Sequence, residues 1–160
     1  MANVVDDVHV LSWDDVDVLV KALAGTIVRD SPPSLIVGIS RGGLIPAVMI
    51  AHAIGSRAVR SMTISRTLTD GVNAAKSAEP VISDRGTLGE VTGLDVLLVD
   101  DIAGSGGTLA SGRGLLAASG AARTRAAVLR LNTANWHCGN REPDYVGNRA
   151  EGWVVFPWER

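Results

Sequence analysis

The stretch Val96-Leu97-Leu98-Val99-Asp100-Asp101-Ile102-Ala103-Gly104-Ser105-Gly106-Gly107-Thr108-Leu109 constrains the fold more than any other part of the chain. Its first four residues are apolar at every position and too few for a helix, which predicts a strand covered on both faces of a parallel sheet. Ligands of such sheets gather at the carboxyl ends of the strands, and this end carries two adjacent carboxylates. Successive strand positions face opposite sides, so Asp100 and Asp101 are expected to hold Mg2+ or sugar hydroxyls rather than to share a proton. Glycines at 104, 106 and 107 allow positive φ and close backbone approach, and a helix opening near Thr108 attracts an anion to its N–H groups. Ser105 and Thr108 add hydroxyl donors. Taken alone, Gly-Ser-Gly-Gly is as readily a plain strand-to-helix turn beside a solvated acidic pair. It is no Walker loop, because no Lys follows the glycines, and the Gly-x-Gly-x-x-Gly spacing of a dinucleotide fingerprint is missing.

The flanking segments extend this strand into a βαβ alternation. Val8 to Leu11 predicts a short strand, and Ser12 and Asp15 have capping-box spacing before Val16, Leu19, Val20, Leu23 and Ile27, which share one helical face. Ser34 to Ser40 predicts a buried strand, Arg41-Gly42-Gly43 a loop, and Pro46 the first turn of a helix running to about Ile54 and closed by Gly55. Val59 to Ser65 is the next strand. Residues 66 to 86 show no sustained periodicity and predict a long loop of the kind that serves as a lid, with Arg66, Lys76 and Arg85 as the cations that could reach a ligand on closure. After the strand at 96–102 come a helix from Thr108 to about Ser119, ended by Gly120, and a strand from Arg125 to Leu131. The expectation is an α/β protein with a mostly parallel sheet and helices on both faces.

At 160 residues the chain suits one domain with a three-layer core. A net charge of −2 makes no electrostatic case for nucleic acid or an anionic membrane. No apolar run approaches the roughly 18 residues of a membrane span, and an N-terminus with Asp6 and Asp7 is unlike a signal peptide. Cys138 is single, so no intramolecular disulfide forms. These features predict a cytoplasmic protein without nucleic-acid or membrane partners. Five of the six aromatic residues (Trp136, Tyr145, Trp153, Phe156, Trp158) lie near the C-terminus, as a stacking wall for a planar ring or as a satellite core.

In length, order and context, the run from Val96 to Leu109 resembles the phosphoribosyl-pyrophosphate (PRPP) signature of type I phosphoribosyltransferases. Leu35-Ile36-Val37-Gly38-Ile39-Ser40-Arg41-Gly42-Gly43-Leu44-Ile45-Pro46-Ala47 resembles the pyrophosphate loop of the xanthine-guanine branch of that family. Pro143-Asp144-Tyr145 through Trp153-Val154-Val155-Phe156-Pro157-Trp158 resembles its base-binding hood. The resemblance implies a single-domain type I phosphoribosyltransferase fold over residues 1–160, with a flexible lid at about 66–86 and a small C-terminal hood at about 132–160. It implies transfer of a 5-phosphoribosyl group from PRPP to a nitrogen heterocycle, a purine or purine-like base, with inversion and release of pyrophosphate with Mg2+, as in nucleotide salvage. Asp100 and Asp101 would then be the catalytic and Mg2+-binding pair, and Gly104, Ser105, Gly106, Gly107 and Thr108 would hold the ribose phosphate. Ser40, Arg41, Gly42 and Gly43 would cradle pyrophosphate, with a cis peptide at Ser40–Arg41. Asn132, Trp153 and Val154 would meet the base, Trp153 by stacking. A homodimer or homotetramer is also implied.

Two positions depart from the family pattern. Gly104 stands where the purine branch has an Asp that handles a ring proton, and Asn132 stands where it has a Lys for the exocyclic oxygen of a 6-oxopurine. An amide donates or accepts but carries no charge. Two alternatives therefore stand beside a purine transferase: an enzyme for a non-purine acceptor, and a PRPP- or nucleotide-binding regulator that kept the fold without turnover.

Overall fold

A computed structural model describes residues 8–67, 76–84 and 86–160. The elements run β1 (Val8–Val10), α1 (Trp13–Asp30), β2 (Leu35–Ser40), α2 (Leu44–Ile54), β3 (Val59–Thr67), β4 (Lys76–Asp84), β5 (Asp95–Ala103), α3 (Gly107–Ala118), β6 (Arg123–Asn132), β7 (Tyr145–Ala150) and β8 (Trp153–Val155), with a closing 3₁₀ turn, Pro157–Glu159. Six strands form one sheet in the order β4-β3-β2-β5-β6-β7, and β1 pairs with β8 in a separate two-stranded sheet. Every pairing is parallel except β3 with β4. The architecture is the mostly parallel α/β sheet expected from the sequence.

Strand β5 explains the layering. Leu97 and Val99 project into a core with Val16, Val20, Ile27, Ile50 and Phe156, from α1, α2 and the C-terminal segment. Val96 and Leu98 project into a second core with Met62, Leu109, Leu116 and Val128, beneath α3. Apolar side chains are needed on both faces, hence the unbroken Val-Leu-Leu-Val run. The chain steps from β2 through α2 to β3 on one side, and from β5 through α3 to β6 on the other. Right-handed crossovers in opposite directions place their helices on opposite faces, which is why α2 and α3 lie on different sides of the sheet.

Helix α1 begins as its sequence indicates: Asp15 N–H donates to Ser12 Oγ, and Ser12 N–H donates to Asp15 Oδ2 at 2.7 Å. Val16, Val20, Leu23 and Ile27 are buried, whereas Leu19 is only half-buried.

Two segments differ from the sequence-based expectation. Residues 66–86 are not one long loop, because β3 continues to Thr67 and β4 occupies Lys76–Asp84 as its antiparallel neighbour. Register shifts at Thr63/Ile64 and Ser65/Thr67 interrupt the pairing, and such irregularities erase the period-2 alternation that would reveal a strand. The side chains of Arg66 and Lys76, and Arg85 altogether, lie outside the described residues. The C-terminal thirty residues also divide their strands: β7 extends the main sheet beside β6, and only β8 stands apart, paired with the N-terminal β1.

Candidate active site

Between β2 and β5 the strand order reverses, and in such sheets the crevice at that point is where ligands bind. The loops leaving both strands meet there. A Cβ on Gly43 would lie 2.5 Å from Val99 O and 2.9 Å from Asp100 Cα, and one on Gly42 would lie 1.9 Å from Asp101 Oδ2. Only glycine lets the Ser40–Gly43 loop lie against the acidic end of β5. The Ser40–Arg41 peptide is cis, matching the expectation drawn from the family resemblance. Ser40 Oγ is held at 2.8 Å from Thr63 Oγ1 and donates to Met62 O at 3.2 Å, so this loop offers a ligand its backbone and the exposed Arg41.

Asp100 and Asp101 are half-buried at the end of β5. Asp101 N–H donates to Asp100 Oδ1 at 3.0 Å, and Ile102 N–H donates to Asp101 Oδ1 at 2.8 Å. Burial pushes the Asp100 carboxyl well above the usual carboxylate range, and the charge of Asp101 pushes it further. Burial also raises Asp101, and the negative Glu159 of the C-terminal turn adds to the shift.

The loop after β5 and the first turn of α3 line a cleft of about 330 Å³ with Asp100, Ile102, Gly104, Ser105 and Thr108, and Asn135 also lines it. Gly106 caps α3 at φ 90°, a conformation that favours glycine. Gly104 has open space around it: a Cβ there meets nothing within 4 Å.

The structure thus brings together the Ser40–Gly43 loop, the acidic pair and Gly104–Thr108. Asn132 ends β6, next to β5, but its amide is committed: Nδ2 donates to Gly152 O at 3.2 Å and Oδ1 accepts from Ala134 N at 3.1 Å. Trp153 and Val154 lie on β8. Trp153 is 66% exposed, whereas Val154 points into the core, which leaves Val154 only its backbone to offer. The C-terminal aromatics do not form one wall: Phe156 stacks on Trp158 at 4.7 Å and Trp13 tilts against Trp158 at 5.8 Å, while Trp136 packs on the opposite core. Residues 135–140 carry no motif, and only the aromaticity of Trp136 hinted that this segment reaches the cleft.

The model of the phosphoribosyl transferase domain matches residues 11–159. The chain belongs to the phosphoribosyl transferase family. As a phosphoribosyltransferase it is a PRPP-dependent enzyme. It is 29% identical over 158 residues to a xanthine-guanine phosphoribosyltransferase of Gluconobacter oxydans, covering 93% of this chain and 83% of that one. The crystal structure of a purine phosphoribosyltransferase from Pyrococcus horikoshii superposes with a TM-score of 0.80 at 32% identity, covering 96% of this chain and 95% of that one. Among the described residues, no helix of the transferase is long and apolar enough to cross a membrane.

Proposed function

We propose that this transferase moves the 5-phosphoribosyl group of PRPP onto a ring nitrogen of a purine or purine-like base and releases pyrophosphate. The observation that carries the reading is the meeting of the Ser40–Gly43 loop with Asp100 and Asp101 at the β2/β5 crevice, beside the Gly104–Thr108 loop. In this reading the N–H groups of Gly104–Thr108 and the opening of α3 hold the 5-phosphate. The Ser40–Gly43 backbone and Arg41 hold the pyrophosphate through charge-assisted contacts. The base nitrogen donates its lone pair to the anomeric carbon as the bond to pyrophosphate breaks and its electron pair leaves with the diphosphate. Positive charge develops on the ribose ring, and the two carboxylates stabilise it.

The donor set fits Mg2+. Two adjacent, half-buried carboxylates at one strand end suit a hard cation whose remaining ligands are water and substrate oxygens. Asp100 and Asp101 would hold it, and its bound charge would neutralise the departing pyrophosphate. In this reading Trp153, exposed on β8, stacks on the base. Gly104 supplies no acid or base and Asn132 spends its amide on Gly152 and Ala134, which favours an acceptor other than the common 6-oxopurines. The same reading places the enzyme in the cytoplasm as a homodimer or homotetramer.

The test is a pyrophosphate-release screen with PRPP and Mg2+ across oxopurines, aminopurines, deazapurines and pyrimidines, run on the native chain and on Gly104→Asp. Release with at least one base is expected, with the aspartate raising oxopurine turnover by roughly 10²-fold or more, the usual worth of a positioned acid or base. No release with any base would overturn the reading in favour of a binding protein without turnover.

A further inference from the structure

We propose that the connection from β6 to β7, through Trp136 and Asn140, sets the shape of the Gly104–Thr108 loop, so that both act as positioning residues for the 5-phosphate of the donor. The inference rests on the reading of that loop as the 5-phosphate site. A loop that aims its N–H groups at an anion must turn its carbonyls elsewhere and hold them there. Ser105 does so: its carbonyl accepts from Asn140 Nδ2 at 2.8 Å and from His137 N at 3.3 Å. At Gly106 the indole of Trp136 closes in, since a Cβ there would lie 2.6 Å from Trp136 Cη2 and 3.0 Å from Asn140 Cβ. Ring and amide therefore grip the residue that caps α3 and the one before it.

The gripping segment is itself fastened to the same helix. Arg113 of α3 donates to Arg141 O and Glu142 O at 2.9 Å each and to Asp144 Oδ2 at 3.0 Å. Asp144 also accepts from Ala126 N at 2.8 Å. Phosphate loop, α3 and β6–β7 connection are thus joined at two points about two helical turns apart, and Trp136 packs on the core beneath α3. None of these contacts touches the Ser40–Gly43 loop, so their loss acts on one end of the donor and spares the other.

The experiment titrates the native chain, Asn140→Ala, Asn140→Asp and Trp136→Phe, each with Mg2+, separately with ribose 5-phosphate and with inorganic pyrophosphate. Circular dichroism and Tm verify folding. Losing the Asn140 donor weakens ribose 5-phosphate roughly three- to tenfold, the range for one hydrogen bond, with pyrophosphate affinity held within about twofold. Asn140→Asp, of the same shape but without the N–H and with a negative charge against the Ser105 carbonyl, weakens ribose 5-phosphate at least as much as Asn140→Ala. In turnover the KM for PRPP rises while the KM for the base holds. Ribose 5-phosphate also changes the tryptophan fluorescence of the native chain, and Trp136→Phe removes most of that change. Folded variants that bind ribose 5-phosphate as the native chain does, or that lose it and pyrophosphate equally, would overturn the positioning role alone. A native chain that binds pyrophosphate but not ribose 5-phosphate would overturn the phosphate-loop reading, and the positioning role with it.

Discussion

Asp100 is held in a setting that disfavours its charge, first by burial and then by Asp101. Its proton is bound more tightly in the folded chain than in the unfolded one, so from about pH 4 upward the unfolded state carries fewer protons and stability falls as pH rises. Asp100→Asn cannot ionise. The ligand-free variant is therefore expected to melt higher than the native chain at pH 7, with the advantage shrinking as pH falls toward about 4, while phosphoribosyl transfer drops by orders of magnitude. Melting curves from pH 4 to 8 together with a pyrophosphate assay check both halves; a variant that melts lower at pH 7 would contradict the electrostatic account. The acidic pair was legible in the sequence because its residue types announce it. The upward shift of Asp100 was not, because the burial that causes it comes from segments distant in the chain.

Elements were legible where a capped helix buries one face or a strand is buried on both. Helix α1 has both the apolar spacing and the Ser12–Asp15 box, and β2 and β5 have unbroken apolar runs. β4 was missed because the register shifts of its pairing with β3 destroy alternation, and β7 because only Tyr145 of its six residues is buried, which leaves no apolar run. The joining of elements was equally hidden at the opposite end of the strands. Arg125 of β6 is fully buried, with paired contacts to Asp95 of β5 at 2.8 and 3.3 Å, a contact to Tyr145 Oη of β7 at 2.8 Å and another to Ser31 O after α1 at 2.7 Å. Tyr145 in turn donates to Asp30. Removing Arg125 leaves the partly buried Asp95 and the Ser31 carbonyl without their donor and opens a cavity, so Arg125→Ala is expected to cost about 3 kcal/mol, or roughly 6–12 °C in Tm for a chain of this size. The KM for PRPP should be unchanged, because the network lies at the far end of β5 from Asp100. Differential scanning calorimetry with steady-state kinetics distinguishes this from a role in the site.

For the whole molecule, the crevice is built by loops from two strands that are neighbours only because the strand order reverses between them. Ligand that bridges both loops should therefore stabilise the fold as a unit. With Mg2+ and PRPP at about 100 times Kd, the expected gain is about 2.7 kcal/mol, or roughly 5–10 °C in Tm, and chelation of the metal should remove most of it. A thermal-shift series with and without EDTA reads this directly; an equal shift in both would argue against Asp100 and Asp101 as the metal ligands. The sequence by itself determined the α/β class, the acidic pair, both glycine loops and the family, since each is encoded in contiguous residues whose chemistry requires that order. Only the tertiary structure decided that Asp101 rests on Gly42, that Asn132 is spent on Gly152 and Ala134, and that Trp136 and Asn140 hold the phosphate loop. Those are contacts between segments as far as sixty residues apart in the chain, and no local pattern records them because the sheet, not the neighbouring residues, brings the partners together.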